Sequence, residues 1–68
     1  MRGLEHLIMR IISKLASYED DECASIDQIE IWIVKKLHYS ERRFDENLCY
    51  LMDCGYIYEP VFGKLRVT

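Results

Sequence analysis

Apolar residues near the N-terminus recur with a helical period. Leu4, Leu7, Ile8, Ile11, Ile12 and Leu15 fall at i, i+3, i+4, i+7, i+8 and i+11, which lines them along one face of an α-helix. Arg2, Glu5, Arg10, Ser13, Lys14 and Ser17 lie mostly off that face, and the spacing predicts a first helix over about 3–18. The helix fades where Glu19, Asp20, Asp21 and Glu22 form an unbroken acidic run. Four contiguous acids lack the alternating ligand spacing and the glycine of a calcium loop, so the run reads as a solvated loop.

The next segment, CASIDQIEIWIVKKLHY, is rich enough in β-branched residues for a strand to compete. Two features favour a second helix over about 26–37. Ser25 followed by Gln28 has capping-box spacing, with Asp27 in the first turn and Lys35 and Lys36 in the last. Ile29, Ile33 and Leu37 then recur every four residues over a stretch long for a strand. Trp32 reads as core at this spacing rather than as a stacking platform, and Cys23 to Ser25 leaves room for a very short strand ahead of the cap. Ser40 is a candidate N-cap for a third helix over about 40–54, with Glu41 in its first turn. Phe44, Leu48, Leu51 and Met52 make its apolar stripe, while Arg42, Arg43, Glu46, Asn47 and Tyr50 face elsewhere. Gly55 stands where a helix C-cap glycine belongs.

After Gly55 the period changes to that of strands. YIYEP and KLRVT, about 56–60 and 64–68, are rich in β-formers, and Pro60 to Gly63 supplies a turn between them. Alternation sends Ile57 and Leu65 inward and Tyr56, Tyr58, Lys64 and Arg66 outward. The predicted class is α+β with the order α-β-α-α-β-β, three helices and a C-terminal hairpin in one domain.

Length sets a limit on this picture. A chain of 68 residues buries only about 60% of the surface its unfolded form exposes, so the core has to be tight. Half the residues are hydrophobic, too many for a disordered tail. Charge interrupts every apolar streak, so no transmembrane span is predicted, and Glu5, His6 and Arg10 break any signal-peptide core. These features imply an intracellular, cytoplasmic protein. Three cysteines, Cys23, Cys49 and Cys54, are an odd number without a C-x-x-C knuckle. They read as ordinary reduced or core thiols rather than a disulfide framework or a metal site. Net charge is −3, but four of the twelve acids lie in the single run, which leaves eight against nine basic residues elsewhere. Net charge therefore bears on solubility more than on any one surface.

The second and third helices are joined by only a few residues, as in a helix-turn-helix, and a hairpin follows at once, as in its winged variant. Asn47 to Thr68, NLCYLMDCGYIYEPVFGKLRVT, resembles the end of the third helix and the wing in the C-terminal winged-helix domains of archaeal minichromosome maintenance (MCM) replicative helicases. In those domains a helix ends in glycine, an IYEP-like strand follows, and a short turn leads to a basic closing strand. Small archaeal and viral winged-helix regulators share the architecture. No ATPase part is present in this chain.

The resemblance implies a winged helix-turn-helix with 40–54 as recognition helix, its N-terminal part in the major groove of double-stranded DNA. Arg42 and Arg43 are then candidates for guanine edges or phosphates, and Asn47 for adenine. Lys35, Lys36, Lys64 and Arg66 are candidates for flanking phosphates. The implied role is a DNA-binding module in transcription regulation or DNA replication. Glu41, Asp45 and Glu46 oppose phosphate, and the basic footprint is thin for a strong binder. The competing expectation is a protein-interaction or regulatory module, an accessory to a replication helicase, using Phe62, Tyr56, Tyr58 and the acidic loop. Phe62 at the turn either folds back on the sheet or anchors a partner. A homodimer through the first helix, with Met9 off its main stripe, is compatible with both. His6 and His38 have no serine, cysteine or carboxylate in a catalytic order, and a chain this short leaves little room for a substrate pocket. No enzyme, cofactor or metal is predicted.

Overall fold

The computed structural model describes residues 3–68. Its elements are α1 (Gly3–Ala16), β1 (Ala24–Ser25), α2 (Ile26–Glu30), a π-helical segment (Ile31–Lys36), α3 (Glu41–Asp53), β2 (Ile57–Val61) and β3 (Lys64–Val67). The class is α+β, with three helices counting the π segment as a continuation of α2. The strands form one antiparallel sheet in the order β1-β3-β2.

Helix α1 organises the core. Leu4, Ile8, Ile12 and Ala16, every fourth residue, are its fully buried row. That row packs on α2, α3, β1 and β3. Leu7, Ile11 and Leu15 form a second, half-buried row beside it. The single stripe expected from spacing is thus two rows, one inside and one on the flank. Ile29, Ile33, Phe44, Leu48, Leu51, Ile57 and Leu65 complete the cluster, with Ala24.

The second helix departs most from expectation. Residue 31 onward widens into a π-helix, with the Leu37 amide donating to the Trp32 carbonyl at 3.0 Å. Each wider turn takes an extra residue, which rotates later side chains off a 3.6-residue face. Leu37 therefore leaves the Ile29–Ile33 row and stands exposed, and Trp32 is 41% exposed rather than core. The Ser25–Gln28 capping box is not made either, since the Ser25 side chain accepts no helix amide. Ser25 is instead paired with Lys64 in the sheet, and the Ile26 amide donates to the Gly63 carbonyl at 2.9 Å. The hairpin tip caps this helix.

Helix α3 follows the sequence closely. The Ser40 hydroxyl accepts from the Arg43 amide at 3.1 Å, and His38, left-handed at φ 64°, reverses the chain just before it. At the other end Gly55 adopts φ 80°. Its amide donates to the Met52 carbonyl at 3.1 Å and that of Tyr56 to Leu51 at 3.0 Å, the bonding pattern of a Schellman motif. A Cβ on Gly55 would meet nothing within 4 Å, so the cost of adding one is backbone strain alone. Gly55→Ala is expected to destabilise by about 1 kcal/mol. That corresponds to a drop of roughly 4–8 °C in Tm for a domain of this size. A thermal melt unchanged within 1 °C, as a rough threshold, would count against the left-handed cap.

In the hairpin, Tyr58 pairs with Arg66 and Val61 with Lys64, so β2 holds one residue more than its partner. The bulge falls at Glu59–Pro60, where proline has no amide to give a ladder. Pro60 and Val61 consequently belong to the strand, and the turn is reduced to Phe62 and Gly63. The Gly63 amide donates to Glu59 Oε2 at 2.6 Å.

Candidate nucleic-acid interface

The turn between the π segment and α3 gathers most of the free positive charge. Lys35 and Lys36 end the π segment, and Arg42 and Arg43 stand in the first turn of α3. All four are exposed. Arg42 reaches Glu46 one turn on at 3.5 Å, an exposed i,i+4 contact of small energetic weight. Among the described residues Lys35, Lys36 and Arg43 make no ion pair. Two of these cations lie over aromatic rings: Lys36 Nζ is 4.6 Å from the Trp32 centroid and Arg43 Cζ is 5.3 Å from that of Tyr39. Such contacts hold a cation in place without neutralising it. The N-terminus of α3 adds a positive dipole end beside Arg42 and Arg43.

Asn47 behaves differently. It is half-buried, and its Nδ2 donates to the Arg43 carbonyl at 2.7 Å. The amide is turned back onto its own helix.

The hairpin cations are also engaged. Lys64 Nζ donates to Asp21 Oδ2 at 2.8 Å, and Arg66 Nη2 to Glu22 Oε2 at 2.9 Å. The acidic run is exposed, as its composition predicts, yet two of its four carboxylates lie on β3 instead of facing solvent alone. The fold explains why. β3 is the middle strand and β1 its neighbour, so the loop leading into β1 passes alongside β3. Glu22 is left-handed at φ 58°, and Asp21 Oδ1 accepts from the Cys23 amide at 3.1 Å. These turns aim both carboxylates across the sheet edge. The hydrogen bond to Lys64, then that to the Cys23 amide, holds the Asp21 carboxyl below its ordinary 3.8. Asp21 in turn raises Lys64 above 10.5. The depressed Asp21 contributes stability that is complete above pH 3.8 and is lost as pH falls through its lowered value.

The predicted partner-binding aromatics are at the surface. Phe62 is 86% exposed and does not fold back onto the sheet. With only Gly63 beside it in a two-residue turn, its side chain has no core within reach. Tyr56 and Tyr58 are each about half as exposed as Phe62.

No protein-family model, curated protein or solved structure matches this chain.

Of the seven predicted DNA contacts, the structure brings Lys35, Lys36, Arg42 and Arg43 to one turn and ties Lys64 and Arg66 to the acidic loop. Reasoning from spacing missed the exposed Trp32 and the half-buried Tyr39 as rings beside these cations. Tyr39 was legible as an aromatic between two basic pairs, whereas Trp32 was not, because its exposure follows from the π-helical turn. Among the described residues no group of three His, Cys, Asp or Glu side chains is placed to hold a metal, and no helix is long and apolar enough to cross a membrane. Cys23 is buried, and Cys49 and Cys54 are exposed free thiols.

Proposed function

We propose that this chain is a winged helix-turn-helix module that binds duplex DNA weakly through the basic turn at the start of α3. The β2–β3 hairpin is its wing. The observation that carries this reading is the exposed group Lys35, Lys36, Arg42 and Arg43, three of them without a carboxylate partner among the described residues. It adjoins the N-terminus of a helix whose capping serine leaves it well defined. Phosphates are attracted by the cations and the helix dipole together, and the first turn of such a helix is the part that meets a major groove. Glu41, Asp45 and Glu46 lie on the same helix and oppose this attraction, which sets affinity low.

About four phosphate contacts give a log–log salt slope near −3.6. Dissociation constants between about 1 and 100 μM are expected for duplex DNA near physiological salt, as for sequence-independent binders. Fluorescence anisotropy of a labelled duplex over a salt series measures both. Arg42→Ala with Arg43→Ala should cut the slope to about −2, since each phosphate contact is worth about one unit. Phe62→Ala serves as a control and should leave affinity within about twofold, as it removes no charge. Absence of binding at low salt, or a slope indifferent to both arginines, would overturn the proposal.

A further inference from the structure

A second surface, separate from the basic turn's two arginines, runs along the flank of α1 to Trp32. Tyr18, Ile11, Leu15, Lys14 and Trp32 enclose a hollow of about 240 Å³. An open groove beside Leu7, Met9 and Arg10 joins it through Ile11 and Lys14. On the other side Trp32 is shared with a more open hollow that includes Ile31 and Lys36. The three form one strip. Tyr18 is 72% exposed, and the half-buried row of α1 forms its floor.

Every charged residue lining these three hollows is a cation, Arg10, Lys14 and Lys36, and the strip ends at Tyr18, beyond which Glu19, Asp20 and Asp21 line a separate hollow. Lys14 Nζ stands 5.8 Å from the Tyr18 ring and Lys36 Nζ 4.6 Å from that of Trp32, so an ammonium flanks each aromatic wall. We propose that this strip docks an acidic, amphipathic helical segment of a partner protein. One large apolar side chain of the partner enters the Tyr18–Trp32 hollow, and its carboxylates meet Arg10, Lys14 and Lys36. A void of about 150 Å³ already accommodates a benzene ring, so the hollow has room for a leucine or phenylalanine. Leu7 to Ala16 spans about 14 Å along the axis of α1, between two and three turns of a partner helix. Anchors at i, i+4 and i+7 in a groove are the usual form of such recognition.

Charge selects this occupant over two others. A second copy docked hollow on hollow would set Lys14 and Lys36 against their own counterparts, which disfavours self-pairing. An anionic membrane would suit the cations but not the hollow, because interfacial helices insert a protruding apolar face.

Trp32 is the only tryptophan in the chain, so its emission reports the site directly. The probe is a tryptophan-free peptide of about three helical turns, with leucine and phenylalanine at i, i+4 and i+7 and glutamate elsewhere. A blue shift of Trp32 emission that saturates in the micromolar range is expected. A peptide of the same composition in scrambled order should bind about tenfold more weakly, since it lacks the apolar face. Lys14→Glu and Tyr18→Ser alter exposed side chains, and circular dichroism would verify that each variant is folded. Each should weaken the peptide about tenfold, and Lys14→Glu should be partly rescued by a lysine-for-glutamate peptide. DNA affinity should stay unchanged in Tyr18→Ser, so the two surfaces stand or fall separately. Equal binding of the scrambled peptide, or no shift, overturns the proposal. So does a shift produced by phosphatidylglycerol vesicles but not by peptide, or a dimer in sedimentation equilibrium that masks the strip.

Discussion

Phe44→Ala is expected to leave the domain largely unfolded, with a folding free energy of about zero, at room temperature. Phe44 is 1% exposed and the largest fully buried side chain. It sits on α3 in the cluster formed by α1, α2 and the hairpin. Truncating a buried phenylalanine removes its transfer free energy and leaves a cavity, at a cost of about 3–5 kcal/mol. A core in a chain of this length rarely supplies more than about 3–5 kcal/mol in total. Loss and reserve are of equal size, so the folding free energy falls to about zero and about half or more of the population is unfolded without denaturant. Phe44→Leu keeps most of the volume and should cost under about 1.5 kcal/mol. Urea denaturation followed by far-UV circular dichroism, with amide dispersion in the proton spectrum, distinguishes the outcomes. A cooperative transition in Phe44→Ala close to that of the wild type would mean that the α1–α3 contact is not where stability resides.

The second large effect concerns the acidic run. Asp21→Asn with Glu22→Gln should tighten duplex binding about fivefold to tenfold and steepen the log–log salt slope by nearly two units. Lys64 and Arg66 are held by these carboxylates, which stand where phosphates would otherwise pair with the wing. Asparagine retains an acceptor for the Cys23 amide, so the loop keeps its shape while its charge is removed. Stability at neutral pH should change little, because exposed ion pairs are screened by solvent. Acid behaviour should change more clearly. Wild-type Asp21 loses its contribution only as pH falls below 3.8, and the double variant should lack that part of the acid-side decline. Affinity unchanged by the double substitution would show that wing cations do not meet DNA. An unaltered acid limb would show that the Asp21–Lys64 contact does not persist in solution.

The three surfaces share one constraint. A small fold has few exposed positions, and this one spends its cations on three of them: the turn before α3, the acidic clasp and the flank of α1. The turn and the flank touch at Trp32 and Lys36, where the π segment lifts both residues to the surface. Changes to Lys36 would therefore report on two surfaces at once, which is why Tyr18 and Arg43 are the cleaner sites for substitution.

How much of this was legible in the sequence depended on the range of the interaction involved. Local rules located what local forces set. The fourfold apolar row of α1, the Ser40 cap with its bond to the Arg43 amide, the left-handed Gly55 and the inward pair Ile57 and Leu65 all follow from patterns within a few residues. Their order alone leads to an α+β chain with a terminal hairpin. The features that shape the candidate sites depend on residues distant in sequence. Ser25 makes no side-chain cap and instead pairs with Lys64 in the sheet, while the Gly63 carbonyl takes the Ile26 amide. Lys64 and Arg66 are not free because β3, paired with β1, lies beside carboxylates more than forty residues earlier. Trp32 is at the surface because the widened turn after Glu30 rotates it off the buried face that keeps Ile29 and Ile33. Periodicity assumes a uniform 3.6-residue turn and strands whose neighbours are known. The sequence by itself determined the order of the elements and most of the core, Trp32 and Leu37 excepted. Only packing decided which charges are cancelled and which rings are left for a partner, since both depend on contacts that no local pattern encodes.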